Sequence, residues 1–255
     1  GEKTIFGRTG NWNYDDVIDI LFEEKKEIIG NFICTKLYKY FISPNVNEDI
    51  VSELSTFFIE NDFSLDLLYR KMFKSEHFFD TFNSNVLIKS PIDLLCNLFI
   101  QLNLEVPENF NLDNYFIYKS RDMGQEILNP VDVAGWQGNH DWISTGSLPM
   151  RWDFLDDILW KFWQKDKNQY QKYLKEIIGD NDTNPESIVK KVIDFMFCEY
   201  VIKQEDLIDA IEVFKSDVPD IYYEDGTWTI NDDSVPLQTY RLVGFLIKLP
   251  EYQLK

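Results

Sequence analysis

Apolar side chains recur at helical spacing over most of this chain. Asp15 or Asp16 can start a helix that carries Val17, Ile20 and Leu21 on one face, with acids where the helix dipole favours them. From about Lys25 the pattern continues through Ile29, Phe32, Ile33, Leu37, Tyr40 and Phe41, and Pro44 closes it. Asn47 caps a helix with Ile50, Val51, Leu54, Phe57 and Phe58 on one face; Ser64 or Asp62 starts the next, with Leu65, Leu68, Tyr69, Met72 and Phe73. Ser90-Pro91-Ile92-Asp93 is the clearest start signal: a capping serine, a proline at the first helical position and an acid to complete a capping box. Further helices are predicted over Asp113–Leu128, from Trp152 through Phe162, over Gln169–Ile178 before Gly179, from Pro185 through Phe197, over Gln204–Phe214 and from Ser234 through Ile247.

Three stretches break the rhythm. Thr4–Tyr14 is a short polar lead-in. Tyr222–Ile230 centres on Asp225-Gly226 and reads as a small hairpin. Met123–Trp152 holds four glycines, two prolines, three tryptophans, His140 and Arg151. A long irregular segment inside a helical chain is either functional or disordered, and this one is too rich in tryptophan for a disordered linker. The expected fold is all-α: an irregular multi-helix array with one long ordered central loop and a small β-hairpin near the C-terminus. One continuous domain is expected, with residues 1–165 as a core region containing the strap and 166–255 as a helical region packed on it.

Charge narrows the classes of partner. The 44 acidic against 25 basic residues give a formal net charge of -19, which argues against nucleic acid and against anionic membrane surfaces. Charges interrupt every apolar run, so no membrane span is expected. Cys34, Cys96 and Cys198 are isolated among apolar neighbours and read as buried thiols; their spacing suits no metal site. No cofactor fingerprint is present: neither a Walker loop nor a dinucleotide motif occurs.

His140-Asp141, between Trp136 and Trp142, is the most chemically suggestive cluster. His140 or Asp132 suits general acid–base work, and Arg151 suits bidentate capture of an anionic group, making these three the catalytic candidates. Trp136 and Trp142 are candidate binding platforms. The competing reading, preferred here, has the indoles plugging gaps between helices. Arg121 and Gln125, one helical turn apart, are expected to hold carbonyls of the strap. Ser144 and Ser147 lack a nucleophile elbow. His77 reads as a helix-end histidine, and the acids from Asp217 to Asp233 as a solvated loop.

Several stretches together resemble the bacterial family called domain of unknown function 1800. They are Phe6-Gly7-Arg8-Thr9-Gly10-Asn11-Trp12, Phe32–Phe41, Ser75–Phe79, Ile88-Lys89-Ser90-Pro91, Gly124-Gln125, Pro130–Trp136, Trp142-Ile143, Leu148–Trp152 and Leu249–Leu254. Asn129 departs from the pattern, which has a second proline there. The resemblance implies a C-terminal portion of a longer protein, with an engineered start at Gly1 and the missing N-terminal part as a partner. It also implies export to the periplasm or cell surface, and it brings no activity. Two functions from different classes follow. One is a binding or scaffolding module for a protein or cell-envelope partner; the alternative is a hydrolytic enzyme acting on glycans through residues 123–152.

Overall fold

Side-chain caps set where many of the helices begin. In a computed structural model of the chain, residues 1–136, 138–197 and 202–255 are described. Asn13 and Asp16 close a capping box at the start of α1 (Tyr14–Phe41). Asn47 caps α2 (Glu48–Glu60) and Ser64 caps α3 (Leu65–Phe73). Ser90 and Asp93 close the expected box on α4 (Pro91–Leu102), with Pro91 in its first turn. The two helices expected between Asp15 and Phe41 run as one, with the join marked by a non-helical residue, Lys25 (φ -123°, ψ 17°).

The chain divides into two compact units, residues 1–87 and 88–255. The boundary expected at 165/166 instead falls inside the second unit, whose core is shared by helices on both sides of it. In the first unit, α1, α2 and α3 enclose Cys34, Tyr38, Val51, Phe58, Leu68 and Met72. Gly30 permits the close approach of α1 and α2, since a Cβ there would stand 2.6 Å from Ser55 Oγ. Burial pushes the Cys34 thiol up to about 11, which leaves it an inert apolar side chain. Cys96, in the second unit, is partly buried and its thiol is likewise raised by burial; Cys198 lies outside the described residues.

The fold is all-α with one small hairpin, and that hairpin is at the N-terminus. Strands β1 (Lys3–Ile5) and β2 (Arg8–Gly10) pair antiparallel around Phe6-Gly7, both at positive φ (47° and 82°). That is the backbone of a two-residue primed turn, matched to the twist of the flanking strands. The Tyr222–Ile230 stretch corrects the expected C-terminal hairpin: Ile221–Glu224 forms a helical turn, and Asp225 Oδ1 then accepts from the Thr227 amide at 3.0 Å.

The second unit continues after α4 with a π-helical stretch (Asn114–Lys119) running into the short α5 (Ser120–Asp122). This replaces the single helix expected over Asp113–Leu128, and the chain turns at Gly124 (φ 96°). Then come α6 (Ser147–Lys165), α7 (Asn168–Ile178), α8 (Pro185–Phe197), α9 (Gln204–Lys215), α10 (Ile221–Glu224), α11 (Val235–Leu246) and a 3₁₀ turn (Pro250–Gln253). One core joins α4, α6, α7, α8, α9 and α11. Trp228 is sealed in it at 1% exposure, its edge toward Phe214 (5.9 Å between ring centres) and its Nε1 donating to Gln238 Oε1 at 3.1 Å. Gln238 Nε2 in turn donates to the Phe214 carbonyl at 2.7 Å and lies 2.6 Å from the Tyr223 hydroxyl. The late loop is therefore pinned by a buried indole rather than by strand pairing. Replacing Trp228 with Ala should lower stability by about 3–5 kcal/mol, the cost of emptying a large core site; urea denaturation measures it, and an unshifted midpoint would contradict this account.

Candidate functional site

The strap, residues 123–152 apart from Gln137, lies within the second unit and is fastened along its length. Met123 is buried in the core at its start. Gln125 Oε1 accepts from the Ile92 amide at 3.0 Å, and Asn139 Oδ1 accepts from the Ile88 amide at 3.1 Å. The Ile92 amide is one of the first of α4, which have no partner inside the helix, and Ile88 lies two residues before its capping Ser90. Gln125 thus acts as an acceptor for a helix start, where the sequence suggested a donor to strap carbonyls. Ser147 Oγ accepts from the Ser144 amide at 2.8 Å and donates to the Trp142 carbonyl at 2.9 Å, so these serines shape the turn into α6.

Arg151 closes the strap. It has no exposed surface, and it carries a formal charge into the interior. Its Nε donates to Gln253 Oε1 and its Nη2 to the Lys89 carbonyl, both at 2.7 Å. Nη1 has no acceptor among the described residues. Burial pushes the guanidinium down to about 10, opposed by the Asp93 carboxylate. Around it, the Lys89 amide donates to the Gln253 carbonyl at 2.8 Å, Ile88 bridges Leu254, and Lys89 Nζ donates to the Tyr252 carbonyl at 2.8 Å while lying 4.3 Å from the Tyr252 ring centre. The bracket thus joins three distant pieces of chain: the entry to α4, the start of α6 and the C-terminus. Lys255 adds an ion pair to Asp93 at its edge. Burial pushes the Asp93 carboxyl up, but Lys255 and the donors of Ser90 outweigh it and hold it below the usual carboxylate range.

The proposed site residues separate accordingly. His140 and Asp132 are exposed, and Asp132 Oδ1 accepts from the Ala134 amide at 2.7 Å in a local turn. Arg151 is committed to carbonyl and amide acceptors instead of an anionic substrate. Trp142 is buried and offers no open ring face, while Trp136 is only partly covered. Arg121 lies 3.6 Å from Asp122 and over the Tyr118 ring, on a half-exposed surface. In the first unit, His77 Nε2 sits 2.8 Å from the Tyr38 hydroxyl and stacks on its ring, a side-chain partner in place of the expected helix-end carbonyls.

Between its fastenings the strap carries an apolar tip. Leu128, Val131 and Val133 are exposed at 93%, 88% and 110%, and Leu128 is held at φ 62°, an uncommon conformation for a branched side chain. Residues 122–150 include Asp122, Glu126, Asp132 and Asp141 but no Lys or Arg.

A second feature escaped sequence reasoning. A cleft of about 740 Å³ opens between residues 107–119 and the outer face of α6. Lys119 from the π-helical stretch and Lys161 and Lys165 from α6 line it, as do Asn109, Asn111 and Asn114. Tyr115 at its wall donates to Asp157, and burial first, then that carboxylate, raises the phenol so that it stays protonated. Three lysines on two separate elements leave no spacing signal in a sequence.

Residues 1–254 match the family described as Protein of unknown function (DUF1800). No curated protein and no solved structure matches the chain.

Two outcomes test the bracket. Arg151→Met keeps most of the volume but strands two buried acceptors, and should cost roughly 2–5 kcal/mol by urea denaturation. Asp93 has a depressed folded value, so its contribution is complete above the ordinary carboxylate range and is lost as pH falls through that value. Asp93→Asn should therefore flatten the acid side of the stability profile, read from melting temperature against pH.

Proposed function

We propose that this chain, which belongs to the DUF1800 family, is a non-catalytic helical binding module that docks a partner protein of the cell envelope through the tip of its strap. The observation that carries this reading is the exposure of Leu128, Val131 and Val133 on a segment fastened at both ends. Aliphatic groups held in water on an ordered loop cost stability without serving the core, and such patches mark interaction sites. Fastening the loop beforehand lowers the entropy lost on binding. The partner's chemistry follows from charge: an apolar pocket with a basic rim complements Leu128, Val131 and Val133 among Glu126, Asp132 and Asp141. A second copy of this chain, at -19, is repelled, as is an anionic lipid surface. A periplasmic or cell-surface home rests on the family resemblance.

A hydrolytic role on glycans retains one supporting feature, the exposure of His140 and Asp132 on the same strap. Turnover of a glycan panel that disappears in His140→Ala would favour it over the docking reading.

The docking reading is tested by placing a photo-crosslinking residue at Val131 in the cells that make the protein. The expected result is one discrete adduct whose partner, once purified, binds the chain saturably. Leu128→Asp with Val133→Asp should weaken that binding roughly thirtyfold. The melting temperature should hardly move, since both sites are exposed. Absence of a discrete adduct, or a purified partner indifferent to the double substitution, would remove the tip as a docking site.

A further inference from the structure

None of the strap's residues line the cleft between residues 107–119 and α6. Its charge is unlike that of the rest of the protein. Against a whole-chain balance of 44 acids to 25 bases, three lysines line the cleft with two acids, Asp157 and Glu108. Asp157 is already engaged, accepting from Tyr115 and standing 3.5 Å from Lys161 Nζ. Lys119 has no acidic partner among the described residues and instead lies 4.6 Å from the centre of the Phe154 ring. Lys165 is held at the rim, 3.1 Å from the Val106 carbonyl and 3.3 Å from Glu105. Lys119 is thus the one cleft lysine without an acidic partner among the described residues, while Lys161 shares Asp157 with the Tyr115 hydroxyl.

The remaining lining specifies more than an anion. Asn109, Asn111 and Asn114 offer carboxamides, each able to donate and accept, which is the pattern that matches hydroxyl groups. Asn111 is already oriented, because its Oδ1 accepts from the Asn114 amide at 3.0 Å and so turns its donor end away from that contact. Phe110 is half-buried in the wall, stacked on Tyr115 with ring centres 4.6 Å apart and parallel to Phe162 at 6.0 Å, and its exposed part adds an apolar surface to the lining. The π-helical stretch brings Asn114, Tyr115 and Lys119 to this one cleft, and π-turns inside helical runs occur frequently at functional sites.

We propose that this cleft binds a carboxylate-bearing sugar of the uronic acid type. The carboxylate is taken by Lys119 and Lys161, the hydroxyls by the asparagine carboxamides, and the ring lies against Phe110. No bond is made or broken. The cleft is independent of the strap tip, so either site can fail without the other.

Titration of the isotopically labelled chain with glucuronic acid, glucose and inorganic phosphate tests this. Glucuronic acid should bind saturably and shift the side-chain amide signals of Asn109, Asn111 and Asn114, and glucose should bind at least roughly tenfold more weakly. Lys119→Gln and Lys161→Gln should each weaken glucuronic acid roughly tenfold, whereas Lys190→Gln on α8 should leave it unchanged. Affinity of the unaltered chain should fall with added salt, a readout that needs no variant to fold. The proposal is overturned if glucuronic acid does not saturate, if phosphate binds as tightly and shifts the same amides, or if both folded lysine variants bind like the parent.

Discussion

A guanidinium with no exposed surface constrains everything around it. Removing a charge from water is costly, and the cost is tolerated only where fixed acceptors replace the lost hydration. Arg151 meets that condition at Nε and Nη2, through Gln253 Oε1 and the Lys89 carbonyl, neither near it in sequence, while Nη1 has no acceptor among the described residues. The entry to α4 must therefore stand where it does, and the C-terminus must return along it, before α6 can begin with its arginine buried. Gln253 then donates onward to the Ile247 carbonyl at 3.2 Å, and the Tyr252 hydroxyl to Gln101 Oε1 at 3.0 Å, so the bracket reaches the end of α11 and the body of α4. The stretches Ile88–Pro91, Gly124-Gln125, Leu148–Trp152 and Leu249–Leu254, scattered along the chain, are thereby parts of one hydrogen-bonded assembly.

The legible elements were those whose signal is local. Ser90, Pro91 and Asp93 specify a helix start within four residues, and Asn47 and Ser64 cap where side-chain chemistry directs; the first helix instead begins at Tyr14 under Asn13, just ahead of the start expected at Asp15 or Asp16. The illegible ones were decided by distant contacts or by uncommon residues in common turns. Phe6 occupies a positive-φ turn position that asparagine or aspartate ordinarily marks, so the N-terminal hairpin carried half its signature, Gly7 alone. Asp225-Gly226 carried the fuller signature, and burial of Trp228 against Phe214 and Gln238 overrode it. The π-helical stretch shares its apolar residues with an ordinary helix, and hydrophobic spacing does not separate the two.

The same division holds for the candidate sites. The strap was visible because glycine, proline and tryptophan crowd into it, yet composition does not reveal which polar group faces a ligand and which faces a carbonyl. Arg151 has the chemistry to clasp an anion, and the acceptors that reach it are a backbone carbonyl and an amide. Lys119, Lys161 and Lys165 are unremarkable in sequence because their convergence depends on how the 107–119 segment lies along α6.

Rigidity of the bracket and exposure of the tip are connected. A loop with free ends would fold Leu128, Val131 and Val133 inward or lose order, because apolar groups gain by leaving water. Gln125 and Asn139 prevent this by tying their stretches of the strap to the backbone amides of Ile92 and Ile88, and Arg151 fixes the segment's end. The tip is held in water by hydrogen bonds made elsewhere. Of the polar side chains that first suggest chemistry, Arg151 holds the backbone of Lys89 and Asp132 a local turn, while the aliphatic ones, unremarkable in a sequence, are left exposed at the tip.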